Sequence, residues 1–106
     1  MDLHEQLKPP FIILGDFNAH SPLWDKNYQE PDTRAKIIED FISQSNTCLL
    51  NDLSPTHINP VNFEKSSIDL SLCHPDLVSN LEWSVLEDLN DSDHFPITMN
   101  FLNSAL

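Results

Sequence analysis

Apolar residues along this chain fall into short runs separated by polar, proline-punctuated stretches. Phe11 to Leu14 is a continuous apolar run ending at Gly15. A run of that length bounded by a turn signal reads as a core strand. Gly15, the single glycine of the chain, permits backbone angles and close approaches that other residues do not. The strand then delivers Asp16 and Asn18 to its carboxyl end, where α/β architectures collect ligands and catalytic groups. An ordinary turn is the competing reading, because Asp and Asn are common turn residues.

Asn18 to Asp32 is a polar loop dotted with aromatic residues, long enough to be functional or covered by a partner. From Thr33 to Asn46 the pattern changes to a helical one. Ile37, Ile38, Phe41 and Ile42 recur at spacings of three and four to form one apolar face, and Asp32 or Thr33 can cap it. Arg34 and Lys36 stand at its start, against the preference of the helix dipole. Cys48 to Leu50 follows as a short strand, so strand, helix and strand form a crossover unit. Further on, Ile68 to Leu72 alternates with the period of a half-buried strand, and Leu81 to Leu86 and Pro96 to Phe101 supply two more. The pattern predicts a layered α/β fold.

Composition narrows the class. The chain has 106 residues, a formal net charge of -12, one Gly and eight Pro. That size suits one domain, and the Gly/Pro balance implies extended connections in place of glycine loops. Such acidity opposes unassisted binding to a phosphate backbone, since affinity there comes largely from Lys and Arg. A nucleic-acid partner would need cations, and gathered carboxylates are what divalent cations bind. Solubility alone is an equally ordinary use of the charge. Cys48 and Cys73 lie far apart without CxxC spacing, which supports neither a zinc site nor a disulfide framework. No apolar run approaches the roughly 20 residues needed to cross a bilayer, and the opening MDLHEQLKPP lacks a secretory pattern. The expectation is a soluble intracellular chain in a reducing compartment, without membrane contact.

Three segments place a carboxylate at or beside a strand: Asp16 with Asn18, Asp69, and Asp93 with His94. The last closes an acidic stretch, Glu87 to His94, whose plain reading is a solvated loop. If the strands share a sheet, the segments can converge at one edge and offer what phosphodiester hydrolysis needs. A base must take a proton from water, donors or metal must stabilise the phosphoryl oxygens, and the leaving oxygen must be neutralised. An adjacent carboxylate would fix which nitrogen of His94 faces the substrate.

The motifs GDFN at Gly15 to Asn18, SIDLSL at Ser67 to Leu72 and SDHFPI at Ser92 to Ile97 resemble, in order and spacing, the carboxyl-terminal half of the endonuclease/exonuclease/phosphatase superfamily. The longer string GDFNAHSPLWD is most similar to the endonuclease domains of arthropod non-LTR retrotransposons. The resemblance runs from about Pro10 to about Phe101. It implies an α-β-β-α sandwich of which this chain is the later portion, a DNA target, a nuclear setting when DNA is cut, and Mg²⁺ or Mn²⁺ as cofactor. Asp16 would handle the proton of water or leaving group, and Asn18 would orient it. His94 would contact the scissile phosphate with Asp69 holding it, and Asp93 would assist the metal. Thr56 or His57 would lie beside the DNA groove. His4, His20 and His74 read as surface or loop residues, and Trp24 as a packing residue.

The resemblance also implies an earlier half bearing an asparagine, the principal metal-binding glutamate and a tyrosine. Glu5 stands too close to Asp16 to replace that glutamate, and Tyr28 follows the motif instead of preceding it. The expectation is therefore weak metal binding, little activity from this chain alone, and an apolar face left uncovered where the other sheet would pack. Partners would be that half or a reverse transcriptase domain. Two other readings stay open: an inert remnant or interaction fragment, and a phosphatase of the same superfamily, against which the GDFNAHSPLWD match counts.

Overall fold

The computed structural model describes residues 10–89 and 91–102, so His4, Glu5 and Asn90 lie outside the described residues. Along the chain, β1 (Ile12–Asp16) leads to α1 (Thr33–Ser45) and β2 (Cys48–Leu49). A hairpin of β3 (His57–Ile58) and β4 (Lys65–Ser66) comes next. Then follow β5 (Asp69–Cys73), a short α2 (Pro75–Val78), β6 (Leu81–Val85) and β7 (Ile97–Phe101). The main sheet has the order β1-β5-β2, and both outer strands run antiparallel to β5. β1 and β2 are therefore parallel to one another, joined by the crossover through α1, with β5 inserted between them. The α/β class expected from the pattern is the class observed.

β5 is the central strand of the main sheet and is buried on both faces, not half-buried as its alternation implied: Leu70, Ser71, Leu72 and Cys73 are all buried. Leu70 joins Ala19, Trp24, Ala35 and Ile38 in the core, with Phe17, Ile42 and Leu49 packed against them. Trp24 is fully buried, and its indole N–H donates to the Ala19 carbonyl at 3.0 Å. That bond satisfies the one polar atom of a large apolar side chain, as the packing reading required. Beyond the end of β2, Asn51 extends the ladder with its side chain: the amide donates to Asp69 O at 2.9 Å and accepts from Ser71 N–H at 2.9 Å.

The long loop ahead of α1 is held by side chains that close local turns. Asp25, only 2% exposed, accepts from Asn27 N–H at 3.0 Å and from Ser67 N–H at 3.1 Å, which ties the loop to β5. Asp32 caps α1 through Ala35 N–H at 2.8 Å and also accepts from His20 N–H at 3.0 Å. The helix ends at Asn46, whose left-handed φ of 58° closes it, a conformation Asn tolerates better than most residues.

Two further expectations need correction. β1 is not fully buried: Ile12 is 39% and Leu14 59% exposed, because the sheet face they share, opposite to that of Ile13, is left uncovered there. Gly15 has no positive φ, and a Cβ there would meet Phe17 at an ordinary 3.7 Å. It sits inside the strand, paired with Leu70, so the strand runs through it to Asp16.

The apolar side of α1 is also only partly covered. Ile37 is 68% exposed, and a groove of about 500 Å³ lined by Ile13, Phe17, Ile37, Ile38 and Phe41 runs between helix and sheet. β6 and β7 form a separate antiparallel pair, tied to β5 by the Trp83 indole N–H donating to Ser71 Oγ at 3.0 Å. Cys48 and Cys73 stand opposite each other across β2 and β5, both free. No helix among the described residues is long and apolar enough to cross a membrane.

Candidate active site

The antiparallel register of β1 and β5 places Asp16 directly opposite Asp69. Two carboxylates facing across a ladder repel one another, and the structure sets an imidazole against both. His94 Nδ1 lies 2.8 Å from Asp69 Oδ2, and its Nε2 lies 4.0 Å from Asp16 Oδ2 and 3.8 Å from Asp93 Oδ1. Asp16, Asp69 and His94 border a cleft of about 260 Å³ also lined by Gly15, Leu70, Ser71, Phe95 and Ile97.

His94 reaches this position because its segment joins the β3–β4 hairpin. His57 and His94 form a bridge, Ile58 N–H donates to Asp93 O at 2.9 Å, and Phe95 N–H donates to Thr56 O at 2.8 Å. Ser92 Oγ accepts from His94 N–H at 3.1 Å and closes the turn. The His57 ring stands 4.7 Å from the His94 ring, with its Nε2 3.6 Å from Asp93 Oδ2.

Electrostatics favour the protonated imidazole. The hydrogen bond to Asp69 raises the His94 pKa, partial burial opposes the rise, and the charges of Asp69, Asp93 and Asp16 add to it. With Nδ1 taken by Asp69, Nε2 is the nitrogen left for a substrate.

The structure brings Asp16, Asp69, Asp93, His57 and His94 together. Asn18 lies beside them on an exposed turn of left-handed φ 46°, its N–H donating to Asp16 Oδ1 at 2.9 Å. Thr56 is placed differently from the expectation of a groove contact. It is fully buried, and its hydroxyl oxygen accepts from both Ile68 N–H and Asp69 N–H at 3.1 and 3.0 Å. It sets the start of β5 and with it the Asp69 side chain. Sequence reasoning passed over Asp25 and Ser67, which anchor the same corner: Ser67 donates its hydroxyl to Ser54 O at 2.8 Å. The motif serine before Asp69 was the available signal.

Two groups of side chains have ligand atoms close enough to share a cation, Asp16 with Asp69 and His94, and His57 with Asp93 and His94. Asp69 Oδ2 is engaged by His94 and Asp16 Oδ1 by the Asn18 N–H, and the Asp16 and Asp93 carboxylates are more exposed than that of Asp69. Carboxylate oxygen suits Mg²⁺ and Mn²⁺, and Mg²⁺ is usually held by one or two carboxylates with water and substrate phosphate completing the shell. Each group offers such an ion an exposed carboxylate, Asp16 in one and Asp93 in the other, which is a minimal fit.

The model of a family described as endonuclease-reverse transcriptase matches residues 1–98. The chain belongs to this family. Among solved structures it is similar to the endonuclease domain of TRAS1, a telomere-specific non-LTR retrotransposon, with 28% identity and a TM-score of 0.75. That likeness covers 88% of this chain and 43% of the other, so the chain spans less than half the length of the solved domain. No curated protein matches it. Family membership and the structural likeness agree with the resemblance carried by GDFN, SIDLSL and SDHFPI. The residues of those motifs are also the ones gathered around His94.

Proposed function

We propose that this chain is the carboxyl-terminal part of a metal-dependent endonuclease domain, which hydrolyses a DNA phosphodiester for a non-LTR retroelement. The observation that supports this most is the placement of His94 between Asp69 on one nitrogen and Asp16 and Asp93 on the other.

In this reading His94 donates a hydrogen bond from Nε2 to an oxygen of the scissile phosphate, and its positive charge strengthens that bond. Asp69 is the positioning group that keeps the proton pattern of the ring fixed. Asp16 takes a proton from the attacking water or returns one to the departing oxygen, the work of a general base or acid. Asn18 orients that exchange from the turn beside Asp16. Asp16 or Asp93, which stand in separate ligand groups, would hold the cation, and Mg²⁺ or Mn²⁺ bound there would neutralise charge on the phosphate and the leaving oxygen. Thr56 acts on this chemistry only through the backbone of Asp69, and His57 stands beside the His94 ring, where a strand would pass.

Two carboxylates make a weak cation site, so a further ligand comes from an earlier portion of the domain in the intact protein. The 43% coverage of the solved relative and the exposed apolar side chains Ile12 and Leu14 of β1 support that division. DNA and the rest of the retroelement protein are then the partners, and the nucleus is the place of action. The inert-remnant reading predicts the same silence from the isolated chain but no contribution of His94 in any longer form.

The test is nicking of supercoiled plasmid by this chain in Mg²⁺ and in Mn²⁺, beside His94→Ala and an EDTA control. The reading expects no nicking above the mutant from folded chain, and nicking that His94→Ala removes once the longer reading frame is expressed. Robust nicking by the chain alone, lost in both controls, would overturn the two-part division. Equal nicking by the longer form and its His94→Ala variant would overturn the hydrolytic role.

A further inference from the structure

Two histidines face each other where the β3–β4 hairpin meets the segment after β6. Ile58 N–H donates to Asp93 O at 2.9 Å and Phe95 N–H to Thr56 O at 2.8 Å. The bridged pair His57 and His94 therefore occupies the non-hydrogen-bonded position of an antiparallel ladder, the position in which opposite side chains stand closest. The rings are 4.7 Å apart between centroids and inclined at 59°.

Asp93 completes the group. Its Oδ2 lies 3.6 Å from His57 Nε2 and its Oδ1 lies 3.8 Å from His94 Nε2, so one carboxylate turns an oxygen to each ring. With one ligand atom taken from each residue, the three lie within 4.8 Å of one another. A tetrahedral ion with bonds of roughly 2.0–2.2 Å sets its ligand atoms about 3.3–3.6 Å apart. The three donors need to close up by at most about 1.5 Å to reach that spacing, which small turns of the side chains supply.

The group is also prepared from behind. His94 Nδ1 lies 2.8 Å from Asp69 Oδ2, and a histidine that ligates a metal through one nitrogen commonly donates the other to a carboxylate, which fixes its tautomer and raises its basicity. Donor type then selects the ion. Two imidazoles with one carboxylate suit zinc and its neighbours among the transition metals, whereas Mg²⁺ takes shells of oxygen. Asp93 is exposed, so an ion can reach the group from solvent.

We propose that His57, Asp93 and His94 bind a divalent transition-metal ion of the zinc type, and that this ion switches the neighbouring cleft off. Coordination takes Nε2 of His94, the nitrogen that otherwise serves the phosphate, and one nitrogen cannot do both. The metal site stands on its own geometry, while its effect on cutting rests on the hydrolytic reading of His94.

The whole chain is titrated with ZnCl₂ by calorimetry and by proton NMR of the imidazole rings, with and without excess Mg²⁺. The expected result is zinc that moves the His57 and His94 rings together, leaves His20 and His74 in place, and is not displaced by Mg²⁺. Loss of an outer hydrogen-bond partner costs a metal site about 10–100-fold in affinity, so Asp69→Asn weakens zinc binding by that factor and His57→Ala by at least as much. Zinc that moves only one of the two rings or neither, or that binds His57→Ala as tightly as wild type, overturns the proposal. In the longer reading frame, zinc slows nicking in Mg²⁺ more for wild type than for His57→Ala, each measured against its own zinc-free rate. Zinc held by both rings with nicking unaffected would overturn the switch together with the hydrolytic role of His94, and leave the metal site. Zinc at neither ring, with nicking still dependent on His94, would remove the metal site and leave the hydrolytic reading intact.

Discussion

Asp69 and His94, 25 positions apart in the chain, meet at 2.8 Å between Oδ2 and Nδ1. The contact joins the first residue of β5 to a turn docked on the β3–β4 hairpin, so it exists only when three separate segments are in register. It also settles which face of the imidazole is available for chemistry.

A proton NMR titration of His94 in metal-free protein follows from this contact. Its midpoint lies above the ordinary value of 6.5 because the Asp69 hydrogen bond favours the charged ring. Asp69→Asn brings the midpoint down. The stabilisation linked to the raised value is fully present below the unfolded-state pKa and disappears as pH rises through the folded one. Wild type should therefore exceed Asp69→Asn in thermal midpoint by more at about pH 5.5 than at about pH 8.5. An unchanged difference across that window would mean that the pair does not form.

Thr56→Ala removes the one oxygen that accepts from both Ile68 and Asp69 N–H. Leaving these buried donors without a partner costs about 1–3 kcal/mol, visible as a lower denaturant midpoint. The substitution should also reduce nicking by the longer form without touching DNA. A variant as stable as wild type would show that water replaces the hydroxyl.

Trp24→Ala empties the middle of the core where Ala19, Ala35, Ile38 and Leu70 meet. Truncation of a fully buried aromatic costs about 3–5 kcal/mol, a large share of the stability of a domain this size. Loss of the cooperative unfolding transition, or a strongly reduced midpoint, is the expected result.

The open groove along α1 should make the isolated chain associate with itself. Ile37 is 68% exposed beside Ile13, Phe17 and Phe41 in the groove, and contiguous apolar surface of this kind marks a contact site or an aggregation risk. Sedimentation velocity should show mass rising with concentration, and Ile37→Glu should suppress the rise. A concentration-independent monomer would contradict this account of the face.

Much of this architecture is legible along the chain, and the exceptions have physical causes. The strands at Ile12, Cys48, Asp69, Leu81 and Ile97 follow apolar runs, and α1 follows its three-and-four spacing with Asp32 as cap. The β3–β4 hairpin does not show in the pattern because its strands are two residues each and include His57, Lys65 and Ser66. Half-exposure of β1 was not visible either, since a strand with one face uncovered and a strand covered on both faces share the same apolar run. For the site, residue types at strand ends pointed to Asp16, Asp69 and His94, and the motif resemblance ordered them. Their convergence depends on the Asp16–Asp69 register and on the bridge from His57 to His94, which are long-range pairings that local periodicity does not encode. Thr56 illustrates the remaining gap: the sequence marks it as notable, and only its burial shows that it works through the backbone of Asp69.

The most direct test of the account combines this chain with the upstream portion of its reading frame and follows supercoiled plasmid in Mn²⁺. The account predicts silence from the chain alone, nicking from the combination, and a loss of about 10²–10⁴-fold when the combination carries His94→Ala. Nicking by the combination that is indifferent to His94→Ala would show that the Asp69–His94–Asp16 cluster is not where the phosphodiester is cut.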